Sequence, residues 1–180
     1  MSGDYIHGFT ASEQRRLVEQ ARILAPNVFA GLDFTDVSTL LEVGCAVGAE
    51  LAILQRRWPH LRLAGLDRSP SHLSAAKALL AEEIAQQSVE LVRGDAFLLP
   101  FADATFDCVI TIWMLEHVSD PERVIRNALR LLRPGGRLIC TEVDNDLLVC
   151  LRGAALPDSF CTGHRRPPYL LHESGTSPRP

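Results

Sequence analysis

Basic charge is scarce in this chain: 18 lysines and arginines are set against 22 acids, a formal net charge of -4. Neutralising a nucleic-acid backbone needs a basic face, so no nucleic-acid partner is expected. Long apolar runs are absent too. None approaches the ~18 residues of a membrane span, so no membrane partner is expected. The five cysteines, Cys45, Cys108, Cys140, Cys150 and Cys161, form no CxxC pair and have no neighbouring histidine cluster. No metal site is therefore expected, and the thiols inside apolar runs read as buried. An odd cysteine count without a signal peptide points to a reducing compartment and a cytoplasmic location. No internal repeat is present.

What remains is 180 residues with 47% hydrophobic and 22% charged side chains, enough for one domain with a real core. Apolar residues Leu17, Ala21 and Leu24 recur at helical spacing over residues 11 to 25. Thr10 or Ser12 stands in cap position, and Pro26 is expected to follow the end. Leu40 to Val43 reads as a short buried strand, followed by a helix from Ala49 to Arg57 that stops before Trp58-Pro59. A second strand, Leu61 to Leu66, ends at Asp67. Ser69-Pro70 opens the next helix, with proline in its first turn. Val89 to Val92, Cys108 to Trp113 and Arg137 to Val143 read as further strands, the last two separated by a helix from Pro121 to Leu132.

Apolar strands alternating with helices imply right-handed crossovers and a mainly parallel sheet covered on both faces, an α/β, Rossmann-like doubly wound fold. Ligands of such sheets bind beyond the carboxyl ends of the strands. Polar residues gather at those ends: Glu42 with Gly44, Asp67, Asp95, and Thr111 onward.

The stretches LLEVGCAVG, AGLDRSP, VRGDAFLLPFADATFDCVI, MLEHVSDP and LLRPGGRL, in this order, resemble the class I S-adenosylmethionine-dependent methyltransferases of the small-molecule type. The resemblance covers residues 38 to 143. A competing template is the dinucleotide fingerprint G-x-G-x-x-G, but its second and third glycines fall on Ala46 and Ala49. Gly48 instead fits the G-x-G-x-G spacing of the methyltransferases. Ala46 departs from their commoner pattern, because glycine usually stands there.

The resemblance implies S-adenosyl-L-methionine as cofactor and a small-molecule methyl acceptor as partner. It implies that Gly44, Cys45, Ala46 and Gly48 pass beneath the methionine and ribose, with Glu42 near the amino group. Asp67 would accept the ribose hydroxyls. Asp95 would accept from the adenine amino group, and Ala96 would offer its N–H to the ring. Arg68 would line the adenine pocket by its stem, Thr111 and Ile112 would border the methionine end, and Tyr5 with His7 would close over the cofactor. Capping explains Asp67 without a ligand, and an Asx turn explains Asp95. His117, beside Glu116, is the candidate catalytic base, since a neutral imidazole can take a proton from a hydroxyl or amine. His60 and His72 read as surface or capping residues, and Trp113 and Phe97 as core or pocket wall.

Three segments follow: residues 1–37 as an N-terminal cap, 38–146 as the cofactor domain, and 147–180 as an atypical, largely disordered tail. Pro157, Pro167, Pro168, Pro178 and Pro180 interrupt that tail. Leu147 to Leu151 reads as at most one short element, and the family's C-terminal antiparallel strand pair is therefore expected to be missing. That leaves the fifth strand as an exposed edge through which a homodimer could form. A non-catalytic cofactor-binding protein is the alternative function.

Overall fold

The computed structural model describes residues 10–144 and 147–152. Along the chain the elements are α1 (Ala11–Val28), β1 (Thr39–Val43), α2 (Ala49–Arg57), β2 (Arg62–Asp67), α3 (Pro70–Leu79), α4 (Ala81–Ala85) and β3 (Val89–Arg93). They continue with β4 (Phe106–Ile112), a 3-10 turn (Leu115–His117), α5 (Pro121–Leu131), β5 (Leu132–Asp144) and β6 (Leu147–Arg152). Among the described residues the strands form one sheet in the order β3-β2-β1-β4-β5-β6. All neighbouring pairs are parallel except β5 with β6. Strand order reverses between β1 and β4, so the crevice of a doubly wound sheet opens above that pair.

Strand alternation distributes the core to two faces. Leu40, Leu63, Cys108, Ile110 and Ile139 pack with Leu51 and Leu54 of α2 and Leu73 of α3. Leu41, Ala64, Val109 and Leu138 point the other way, onto Val124, Ala128 and Leu131 of α5. Complete burial of one such leucine contributes about 1.5–3 kcal/mol. Phe34 stands edge-on to Trp58 at 4.8 Å between ring centroids and closes the foot of the first cluster.

Two expectations are corrected. Helix α1 runs through Pro26 to Val28 instead of stopping before it. In the last turn proline removes a single backbone bond, while Phe29 N–H still reaches Ala25 O at 3.0 Å and Val28 and Phe29 are buried. The second correction concerns the tail. Residues 147–152 are not part of it but form β6, antiparallel along β5 from Asp144 opposite Leu147 to Ile139 opposite Arg152. The LLVCLR run carries five consecutive apolar residues, a length and composition that suit a short strand. One strand of the antiparallel pair is thus present. β5 is paired on both sides, which removes the premise for dimerisation across it. The rest of the tail, with Cys161, and the N-terminal stretch with Tyr5 and His7 lie outside the described residues. Among the described residues no helix is long and apolar enough to cross a membrane.

Candidate functional site

The loop after β1 is built from left-handed backbone. Gly44 has φ 82° and Gly48 φ 73°. Gly44 and Cys45 both donate to Leu66 O, at 2.7 and 3.0 Å, so the loop is laid across the end of β2. A Cβ at Gly44 would run into Cγ of Met114, and one at Gly48 would meet Leu80 Cδ1 at 2.7 Å. Between these glycines Ala46 adopts φ 43°, a conformation that costs a non-glycine residue about 1–2 kcal/mol. The position that commonly holds glycine therefore keeps glycine's geometry while carrying a methyl group.

Asp67, at the end of β2, holds that geometry. Its Oδ2 accepts from Ala46 N–H at 3.0 Å and its Oδ1 from Ser69 N–H at 2.8 Å, tying the β1 loop to the start of α3. His72 Nδ1 lies 3.8 Å from Oδ1. His72 is 3% exposed and faces the cavity, so it is not the surface residue expected; α3 turns it inward from the first turn that Ser69 caps.

Above these loops lies a cavity of about 420 Å³. Its walls bring together Glu42, Gly44, Ala46, Asp67, Arg68, Asp95, Ala96 and His117 from the expected set. Cys45, Gly48 and Thr111 stay off the wall. The Cys45 side chain is packed beneath the loop against Gly65, and Thr111 is 1% exposed within β4. The wall at the end of β4 is formed by Ile112, the second residue expected there, and by Trp113, expected as core or pocket wall. Asp95 makes the Asx turn, accepting Phe97 N–H at 2.8 Å, yet it also borders the cavity. Asn127 of α5 holds this loop by donating to Ala96 O and Phe97 O at 3.3 and 2.9 Å.

The opposite wall is the turn after β4. Trp113 has φ 50°, and its indole N–H is buried without an acceptor. Glu142 Oε1 accepts from Met114 N–H at 3.3 Å and Leu115 N–H at 2.9 Å, fixing the 3-10 turn from below. Burial raises the Glu142 carboxyl above its ordinary range, against the backbone donors that lower it. The turn presents Glu116 and His117 to the cavity, with His117 Nε2 3.5 Å from Glu116 Oε1.

The floor is acidic. Glu42 is 2% exposed, and its Oε2 has no hydrogen-bond partner. Burial, with the charges of Glu50 and Asp67 added, pushes its carboxyl well above the ordinary range. Burial raises Glu50 to about 7. Such a floor favours a cationic ligand and disfavours a pyrophosphate. Sequence reasoning missed Glu50, Glu142 and the α1 residues Leu17 and Gln20 on the rim. For α1 the signal was available, because positions 17 and 20 share one helix face. For Glu142 no local pattern marks it, since its partners lie 27 and 28 residues away.

The profile of the methyltransferase domain family matches residues 41–140. The chain is 30% identical over 146 residues to the methyltransferase GfsG of Streptomyces halstedii, covering 81% of this chain and 52% of that protein. It is 34% identical over 117 residues to demethylmenaquinone methyltransferase of Lactococcus lactis, covering 64% and 46%. Among solved structures, a proposed S-adenosyl-L-methionine-dependent methyltransferase of Methanococcus maripaludis shares the fold. It has TM-score 0.62 at 20% identity, covering 79% of this chain and 67% of that one. The chain spans about half the length of the curated relatives it matches.

Proposed function

The chain belongs to the methyltransferase domain family, and on that premise we propose that it binds S-adenosyl-L-methionine in this cavity and transfers its methyl group to a small-molecule acceptor. The observation that carries the reading is Glu42. A buried carboxylate with an unpartnered oxygen at the cavity floor wants a cation, and the proposed cofactor carries both an ammonium and a sulfonium. A loop that lies over an acidic floor suits it better than it suits a dinucleotide.

The cofactor supplies an activated methyl group, leaving the protein to hold donor and acceptor in line, a contribution that can reach effective molarities of ~10⁵–10⁸ M. Glu42 would face the amino group. Asp67, with lone pairs remaining beyond its two backbone bonds, would accept from the ribose hydroxyls. Asp95 and Ala96 would meet the adenine, beside the stem of Arg68 and the ring of Phe97. His117 is the candidate to take a proton from the acceptor, with Glu116 orienting the ring. Tyr5, outside the described residues, keeps its proposed place over the cofactor.

The relatives support a small-molecule acceptor, since one of them is named for methylation of demethylmenaquinone. The net charge of -4 supports the absence of a nucleic-acid partner. Cys45, Cys108 and Cys140, buried as thiols, support a cytoplasmic location.

The test is transfer of a tritiated methyl group from S-adenosyl-L-methionine to a panel of phenols, quinols and amines. Transfer to any of them that is lost in Asp67→Ala supports the proposal. Tight cofactor binding with no transfer to any class would favour the non-catalytic binding protein.

A further inference from the structure

Helix α5 presents two stripes to its neighbours. Val124, Ala128 and Leu131 are buried in the core, and Arg123, Asn127 and Arg130 stand one position before them, along the adjoining face. That second stripe holds the loop between β3 and β4. Asn127 Nδ2 donates to Ala96 O at 3.3 Å and to Phe97 O at 2.9 Å. Arg130 donates to Leu99 O at 3.1 Å and to Phe101 O at 3.0 Å. The Arg123 guanidinium lies 5.3 Å from the centre of the Phe97 ring. Arg130 thus secures the far half of the loop, and Asn127 the half that borders the cavity at Asp95, Ala96 and Phe97.

Consecutive peptide planes carry the effect of Asn127 to the cavity. Among the described residues all peptide bonds are trans, so each N–H points opposite to the carbonyl of its own plane. In the plane joining Ala96 to Phe97, Asn127 donates to the carbonyl while the N–H donates to Asp95 Oδ1 at 2.8 Å. In the next plane Asn127 donates to Phe97 O while Leu98 N–H donates to Asp95 O at 2.9 Å. The first plane fixes the Asp95 carboxylate. The second fixes the Asp95 carbonyl, and with it the direction of the Ala96 N–H across the same peptide bond. Among the described residues these bonds leave over one donor and one acceptor, the Ala96 N–H and Asp95 Oδ2.

We propose that Asn127 is a positioning residue for base recognition: its two hydrogen bonds aim the Ala96 N–H and the free Asp95 oxygen into the cavity as a donor–acceptor pair that takes a 6-aminopurine and rejects a 6-oxopurine. This rests on the cofactor reading above and deepens it, by naming what fixes the choice of base. A 6-aminopurine presents a bare ring nitrogen to the N–H and an amino hydrogen to the carboxylate. A 6-oxopurine presents a protonated ring nitrogen and an oxygen, so donor meets donor and acceptor meets acceptor. Polar groups left facing their own kind cost more than a lost contact. A loop free to turn its peptide planes would accommodate either base, because a turned peptide offers its carbonyl in place of its N–H.

The experiment is calorimetric titration of the full 180-residue chain with S-adenosylhomocysteine and with S-inosylhomocysteine, which differ only at the 6-position and the adjacent ring nitrogen. The wild type is expected to prefer the adenosyl compound by at least about 30-fold, from two mismatched hydrogen bonds. Asn127→Ala is expected to reduce that preference to less than about fivefold, as the peptide planes turn to suit either base. Asn127→Asp keeps the side chain's shape without its N–H donors and is expected to do the same, so the test does not depend on the folding of one variant. Arg130→Ala is the structural control. It frees the far half of the loop, lowers the melting temperature and leaves the preference within about twofold of the wild type. Undiminished preference in both Asn127 variants overturns the proposal alone. Equal loss of preference in Arg130→Ala also overturns it, by making loop stability rather than Asn127 the cause. A wild type that binds both compounds equally overturns the proposal and the place given to the adenine. Absence of binding by a folded chain overturns the cofactor reading and the proposal together.

Discussion

The N–H of Ala46 donates to Oδ2 of Asp67 at 3.0 Å while Ala46 itself holds φ 43°. The residue that breaks the glycine pattern is kept in glycine's conformation by the carboxylate that we propose accepts from the ribose. Strain in the loop and the ligand site are therefore coupled through one hydrogen bond.

Ala46→Gly relieves that strain. Left-handed backbone costs alanine about 1–2 kcal/mol, of which roughly half is returned by the greater freedom of glycine in the unfolded chain. The expected outcome is a net gain of about 0.5–1 kcal/mol, a rise of about 2 °C in melting temperature by scanning calorimetry. Affinity for S-adenosylhomocysteine is expected to hold or improve. A fall in melting temperature would show that the methyl group packs usefully.

Asp67→Asn tests the bridge from the other side. An amide offers one acceptor oxygen where the carboxylate offers two, so the N–H of either Ala46 or Ser69 loses its partner. Hydrogen bonds to charged groups contribute about 1.5–3 kcal/mol, and a loss of stability of that size is expected in urea unfolding. Binding of S-adenosylhomocysteine should weaken by more than tenfold.

The 3-10 turn gives a prediction that separates binding from turnover. Glu142→Ala removes the acceptor from Met114 and Leu115 N–H, loosening the turn that carries Glu116 and His117. Methyl transfer is expected to fall at least tenfold with cofactor affinity changed less than threefold. Glu142→Gln, which keeps an acceptor oxygen, should restore most of the activity. Equal loss of binding and turnover would contradict this division.

Stability should respond to pH with opposite signs at two places. Partial burial opposes it, but Arg133, together with Thr39 and the Ser38 N–H, holds Asp107 down to about 2. A depressed carboxylate contributes stability above its unfolded pKa that is lost as pH falls toward 2. Melting temperature should therefore drop between pH 4 and 2, and less steeply in Asp107→Asn. Glu50 is raised to about 7, so the folded state holds its proton longer than the unfolded chain does. Its effect runs the other way: the ligand-free protein loses stability as pH rises from about 4.5 through 7, and Glu50→Gln flattens that slope. Circular-dichroism melts across both windows check the two signs.

Much of this molecule is legible in sequence because its signals are local. Apolar runs mark β1, β2 and β4, and Thr10 and Ser69, at the starts expected for α1 and α3, each accept a first-turn N–H. Gly44, Gly48 and Asp67 follow from the strand-loop-helix grammar of the fold. What was missed depends on contacts distant in sequence. β6 gains its place by pairing with β5, and Glu142 by bonding to a turn 27 residues earlier. Proline at 26 misled because its cost depends on where in the helix it falls, which tertiary packing of Val28 and Phe29 decides. Of the two residues expected at the end of β4, Ile112 reaches the wall and Thr111 does not, because strand alternation turns the two to opposite faces.

The measurement closest to the central claim is a direct competition of ligands for the cavity. The full chain is titrated with S-adenosylhomocysteine and, separately, with NADH, each also against Asp67→Ala. The account predicts micromolar binding of S-adenosylhomocysteine that is lost in the variant, and no binding of NADH to the acidic floor of Glu42, Glu50 and Asp67. Binding of NADH in preference, or of neither ligand by a folded chain, would contradict it.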